Sequence, residues 1–255
     1  MASETAALIP VLTNPTYHLK RVGLEAGPLS QWLFRGLSVT RSPGLKNEEA
    51  FMSADLDPRE ARLNELHVRP LMELVHKLRK RFADIAETNG DLDPPGVPNV
   101  DPTDGGVNAR ALFFLATPGR RAVGSGFVSQ DNPDDTALNM RKALAEAGFR
   151  RPDVVLWNVV PYCVSTKYQD RKVSDAQVRK AVPDSQAFVD ELLKSRRLKV
   201  VVFCGLKAQL AGSFLRVAPA IPLSTFHTGA QSFNHKRCRD DIDKTFKKAF
   251  ELISK

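Results

Sequence analysis

Cysteine is scarce in this 255-residue chain: Cys163, Cys204 and Cys238 are odd in number and far apart. That argues against a disulfide framework and against a C-x-x-C metal site, and it fits a reducing cytoplasm. Long apolar runs are missing as well. None approaches the roughly 20 residues that span a bilayer, so no membrane association is expected. The first residues carry neither the basic segment nor the apolar core of a secretory signal, and the expected location is cytoplasmic.

Charge is present in excess of one sign. The chain holds 37 Lys+Arg against 29 Asp+Glu, a formal net charge of +8. It is unevenly placed: residues 1–110 carry 13 basic and 15 acidic side chains, and residues 111–255 carry 24 and 14. A basic second part joined to a near-neutral first part implies a polyanionic partner, nucleic acid first. The length suits one substantial core, and we expect residues 1–56 to form a partly irregular extension and residues 57–255 a single domain.

Residues 110–160 organise the chain. Residues 111–115 are an apolar run of strand length, ended by Pro118 and Gly119. A loop to residue 132 follows. Asn132 and Pro133, with Asp134 and Asp135, read as a helix start, with the acids at the positive end of the dipole. Ala137, Met140, Leu144 and Ala147 form one apolar stripe, and Gly148 closes the helix. Residues 153–160 make a second strand, apolar except for Asn158. Such a strand–loop–helix–strand unit implies a crossover and a parallel sheet, with ligands at the carboxyl edge.

Upstream, Trp32, Leu33, Phe34 and Leu37 form a short apolar patch. Asp57 to Glu60 predicts a capping box and a helix, which Pro70 breaks or restarts. His67 and His76 on that segment are expected to be structural or solvent-facing. Residues 93–106 are rich in Pro, Gly and Asp and form a semi-rigid connector. Downstream, Ser174 caps a helix that Pro183 interrupts; residues 199–204 and 221–226 are strands; helices lie near 208–215 and over 240–253, with a loop at 227–239. The alternation predicts an α/β fold, three α/β/α layers around a four-stranded parallel sheet.

Three groups converge on the carboxyl edge of that sheet. They are Phe127 in the first loop, Asn158 late in the second strand and His227 past the fourth. Each has a plainer alternative: a core plug, a satisfied strand amide, a satisfied loop histidine. A buried amide without partners costs about 1–3 kcal/mol, and a bidentate amide at a pocket wall suits the edge of a base. Together, ring, amide and imidazole suit a flat polar heterocycle.

The motifs that carry these residues resemble the uracil-DNA glycosylase superfamily, closest to a bacterial branch without an iron–sulfur cluster. The resemblance runs from about Glu65 to the end of the chain. It includes HVRPLMELV from His67, DPTDGGVNARALFFLATPG from Asp101, SGFVSQDNPDDTALN from Ser125, WNVVPY from Trp157, VVVFCGLKAQ from Val200 and HTGAQSFN from His227. It implies a monomeric, cofactor-free hydrolase that flips uracil out of DNA and cleaves its N-glycosidic bond. Phe127 would stack on the base and Asn158 would bond its O4 and N3 edge. His227 would stabilise the leaving anion at O2. Backbone groups of Ala116 and Thr117 would line the base pocket and help place the attacking water. Arg120, Arg121, Lys167 and Lys172 would meet phosphates. The loop with Gly229, Gln231, Ser232 and Asn234 would press into the minor groove.

Two departures stand out. Relatives usually carry Gly at the position of Leu115 and Glu, Asp or Asn at that of Ala116. The side chain there is commonly assigned to the water, which Ala cannot hold. Asp131 is the replacement candidate, or else a helix-start acid. The second departure is His227-Thr228-Gly229 in place of His-Pro-Ser. Four cysteines would be needed for a cluster and three are present. Ala116 also leaves open a uracil-DNA binding protein with little or no turnover. A nucleotide or small-molecule hydrolase on the same fold is a third, remoter reading.

Overall fold

The fold is a computed structural model that describes residues 57–89, 96–164 and 172–255. The expected apolar patch at residues 32–37, the first residues of the connector and Lys167 lie outside the described residues.

Among the described residues six strands follow in chain order: β1 (Asn99–Val100), β2 (Ala111–Leu115), β3 (Phe127–Val128), β4 (Val154–Asn158), β5 (Val200–Cys204) and β6 (Ile221–Thr225). Four of them form a parallel sheet in the order β4-β2-β5-β6, and β1 pairs with β3 in a separate parallel ribbon. The apolar runs of β2 and β5 in the middle of the sheet, and of β4 at one end of the order, are almost wholly buried, as strands covered on both faces should be. At the opposite edge, β6 is more polar and largely exposed.

The described residues also form seven α-helices: α1 (Arg69–Asn89), α2 (Arg120–Ser125), α3 (Asp135–Ala147), α4 (Asp175–Lys194), α5 (Leu206–Gly212), α6 (Ala230–Phe233) and α7 (Lys236–Ser254). Helices α3 and α7 pack together on one face of the sheet. On the other face α4 packs against α1 and α5. Ring contacts fix which side chains face which layer. Phe113 of β2 meets Phe246 of α7 at 4.8 Å, whereas Trp157 of β4 stacks on Phe188 of α4 at 4.7 Å. Side chains alternate along a strand, and Leu115 is in register with Asn158. Leu115, Leu156 and Asn158 therefore face the α3 layer.

The expected α/β sheet of four parallel strands is present, but several local expectations are corrected. Pro183 does not interrupt its helix: α4 runs through it, one lost backbone bond being outweighed by buried Val178, Phe188 and Leu192. Asp57 caps no helix. Its carboxylate accepts from the Arg59 backbone and guanidinium, and the chain makes only a 3₁₀ turn at Glu60–Arg62. Helix α1 begins afterwards, with Pro70 in its first turn. The cap of α3 falls at Asp134, two residues past Asn132. The Asn132 amide instead donates to the Phe127 carbonyl at 2.9 Å. The loops expected at residues 116–132 and 227–239 contain α2, β3 and α6, and α7 begins at Lys236. Two expectations hold in detail: Gly148 ends α3 in the left-handed region, and Ser174 caps α4 in a box with Gln177.

Candidate active site

At the carboxyl ends of β2 and β4, on the α3 side, the sheet opens into a cleft of about 810 Å³. That volume exceeds one base and would hold a nucleotide with its flanking backbone. The first turns of α3, the segment from Thr117 to Ala122, Ser129, Asn158 and His227 surround it.

Asn158 ends β4 and is buried, yet its carboxamide has no hydrogen-bond partner among the described residues. Strand geometry dictates its direction, since register with Leu115 turns both side chains to the cleft. A buried amide normally finds partners. Here both its donor and its acceptor are left for whatever enters the cleft.

His227 follows β6. Its Nδ1 accepts a hydrogen bond from the Gly229 backbone at 2.9 Å. An accepting ring nitrogen carries no proton, so the neutral ring is protonated at Nε2, which remains a donor. Burial pushes the imidazole below the ordinary histidine value of 6.5, against an opposing pull from Asp134. At neutral pH the ring is uncharged. Two glycines make room for it. A Cβ on Gly205, whose φ is +88°, would lie 3.0 Å from the His227 Cβ, and one on Gly229 would lie 2.9 Å from Nδ1. The loop is tied to α3 as well: the Asn139 amide donates to the Thr228 carbonyl at 2.9 Å and the Thr228 hydroxyl to the Thr136 carbonyl.

Other expected residues are placed as follows. Arg120 and Arg121 are exposed at the start of α2 and line the cleft. Thr117 also lines it, its hydroxyl donating to the Tyr162 carbonyl at 2.6 Å. Ala116 does not line it; its carbonyl accepts from Val160 N. Gly229 orients His227, while Gln231, Ser232 and Asn234 lie on or just after α6, outside the cleft wall. Lys172 is exposed before α4.

Two further residues, expected to act directly on the base and the water, are also not brought to the cleft. The Phe127 ring is wholly buried, and the Arg59 guanidinium covers it at 4.2 Å. Side chains alternate in β3, so Val128 faces the cleft and Phe127 turns away. The expected stacking surface is therefore covered by Arg59. Asp131 is held elsewhere: Arg141 and Arg151 donate to its two oxygens at 3.3 and 3.0 Å, beside a smaller hollow of about 420 Å³. The water-placing role proposed for it has no geometric support.

The carboxylate that does line the cleft is Asp134. In sequence it reads as one of two helix-start acids, and only the packing of α3 against the His227 loop distinguishes it. Among the described residues no cluster of His, Cys, Asp or Glu is arranged to hold a metal, and no helix is long and apolar enough to cross a membrane. No protein-family model and no curated protein matches the sequence.

Proposed function

We propose that this chain is a DNA glycosylase that hydrolyses the N-glycosidic bond of uracil, on a uracil-DNA glycosylase-like α/β/α fold. The observation that carries the proposal is the meeting of the partnerless Asn158 carboxamide and the neutral, Nε2-protonated His227 in one cleft. A carboxamide can accept from N3–H and donate to O4 of uracil. Cytosine reverses that edge, with an acceptor at N3 and a donor at N4. An imidazole N–H donor opposite O2 meets the charge that develops as the base departs. Keeping the ring neutral, as burial does, avoids setting a second buried cation beside the cationic sugar.

Base extrusion costs a few kcal/mol, and a pocket must offset it with edge contacts and stacking. With Phe127 under Arg59, the edge contacts carry more of that offset unless Arg59 moves. Arg120 and Arg121 on the rim suit phosphates, whose contacts position the strand without reading its bases. Deaminated bases other than uracil that present the same edge belong to the same proposal.

The test is a single-turnover assay on a uracil-containing oligonucleotide, against cytosine-containing and undamaged controls. An alkali-labile abasic product confined to the uracil strand is expected. Because Ala116 and Asp131 offer no carboxylate to a water, a uracil-DNA binding protein is the second reading. Tight retention of the uracil strand with no product would favour it.

A further inference from the structure

Among the described residues, Asp134 is the single carboxylate that lines the cleft, which it shares with Asn158 and His227. Its plain role is to cap α3, where one oxygen accepts from Ala137 N at 3.0 Å. The second oxygen has no hydrogen-bond partner among the described residues. Capping does not require a charge, since Asn or Ser caps as well. The position is held from both sides. Asp134 N donates to the Asn132 carbonyl at 2.8 Å, and the first turns of α3 are bonded to the His227 loop through Thr136 and Asn139. Its charge also reaches His227, whose protonated form it favours.

We propose that Asp134 is the catalytic carboxylate that orients the attacking water and takes its proton. The proposal rests on the glycosylase reading of the cleft. In the step, the water oxygen bonds to C1′ of the deoxyribose as the bond from C1′ to uracil N1 breaks. The electron pair of that bond leaves with uracil, and His227 Nε2–H holds the charge at O2. The water's proton passes to Asp134 and from there to the uracil anion or solvent. The products are neutral uracil and an abasic sugar with a C1′ hydroxyl. A carboxylate opposite the leaving group also favours the cationic sugar that forms between. Asp134 would thus fill the role that the resemblance implies for the position of Ala116, and for which Asp131, tied to two arginines, is not placed.

The experiment compares Asp134→Asn and Asp134→Ser with the unsubstituted full chain, reading single-turnover excision and equilibrium binding of one uracil oligonucleotide. Both substitutions keep a capping side chain, so melting temperatures are expected to stay within a few degrees. Excision should slow by about 10²- to 10⁴-fold, the usual share of a positioned acid–base group. Binding should be unchanged or tighter, because a negative charge facing DNA has been removed. Excision by both variants at the unsubstituted rate overturns the proposal and leaves the glycosylase reading in place. So does a loss of rate matched by an equal loss of binding, the mark of a collapsed cleft. No product from the unsubstituted chain overturns both.

Discussion

Helix α3 separates two polar clusters that handle charge in opposite ways. In the cleft beside its first turns, Asn158, Asp134 and His227 each keep a polar atom without a partner among the described residues. In the hollow beside its last turns, the groups answer one another. Arg151 donates to Asp101 at 2.9 Å, to Asp131 at 3.0 Å and to the Thr103 hydroxyl, while Arg59 adds a second bond to Asp101 at 3.1 Å. Arg151 Nε also lies 2.9 Å from Asp104 Oδ1, without the alignment a hydrogen bond needs. Burial pushes the Asp104 carboxyl well above the usual carboxylate range, and Arg151 pulls it back. Charge density alone would have marked the hollow as the site. Charge pairing separates the two. Beside the hollow each carboxylate faces an arginine, although Asp104 Oδ2 and Arg151 Nε make no hydrogen bond. In the cleft, by contrast, the Asn158 amide and one Asp134 oxygen have no partner among the described residues.

That contrast predicts different losses on the two sides of α3. The largest is Arg151→Ala, which takes the arginine from buried Asp104 and leaves buried Asp101 with Arg59 alone, and should cost about 3–5 kcal/mol of stability. Urea unfolding measures it, and a loss under about 1 kcal/mol would show the hollow to be dispensable. Next comes His227→Ala. Removing one donor to a departing anion typically slows the chemical step about 10²- to 10³-fold. Unfolding should change little by comparison, and an unchanged rate would remove His227 from the mechanism.

Asn158→Ala should sharpen the contrast from the other direction. With no partner to orphan among the described residues, the substitution should cost no more than about 1 kcal/mol of stability. Its effect should fall on preference for uracil over cytosine, by about 10- to 100-fold, read from competing excision rates. Large destabilisation with intact preference would mean the amide serves the core. The smallest effect belongs to Asp131→Asn, whose ion pairs are about half exposed on the acid's side. Stability should fall by under about 1 kcal/mol and excision should be unaffected. A slowed reaction would return Asp131 to the site from which its geometry separates it.

Much of the architecture could be read from local pattern. The apolar runs of β2, β4 and β5 have strand length because both faces of a parallel sheet are covered. Gly148 and Ser174 marked helix ends because their backbone and hydroxyl chemistry is used at the first neighbouring residues. The failures have tertiary causes. Pro183 fits inside α4 because the packing of that helix outweighs one missing bond. Asn132 is drawn from capping to the Phe127 carbonyl by a fold-back five residues long.

At the site, Asn158 and His227 were legible because strand-end polar residues stand out against apolar neighbours. Phe127 and Asp131 were misplaced because their fates rest on distant arginines. Arg59 lies 68 residues before Phe127, and Arg151 lies 20 residues after Asp131. Asp134 passed for an ordinary cap for the same reason, since its neighbour in space is 93 positions away at His227. By itself, then, the sequence determined the four strands of the main sheet, the longer helices and their order, because those depend on near neighbours and side-chain alternation. The short β1, β3, α2 and α6 escaped it. Only the tertiary structure decided which polar groups are used up and which stay available. That outcome depends on partners brought together by packing, and no local pattern records them.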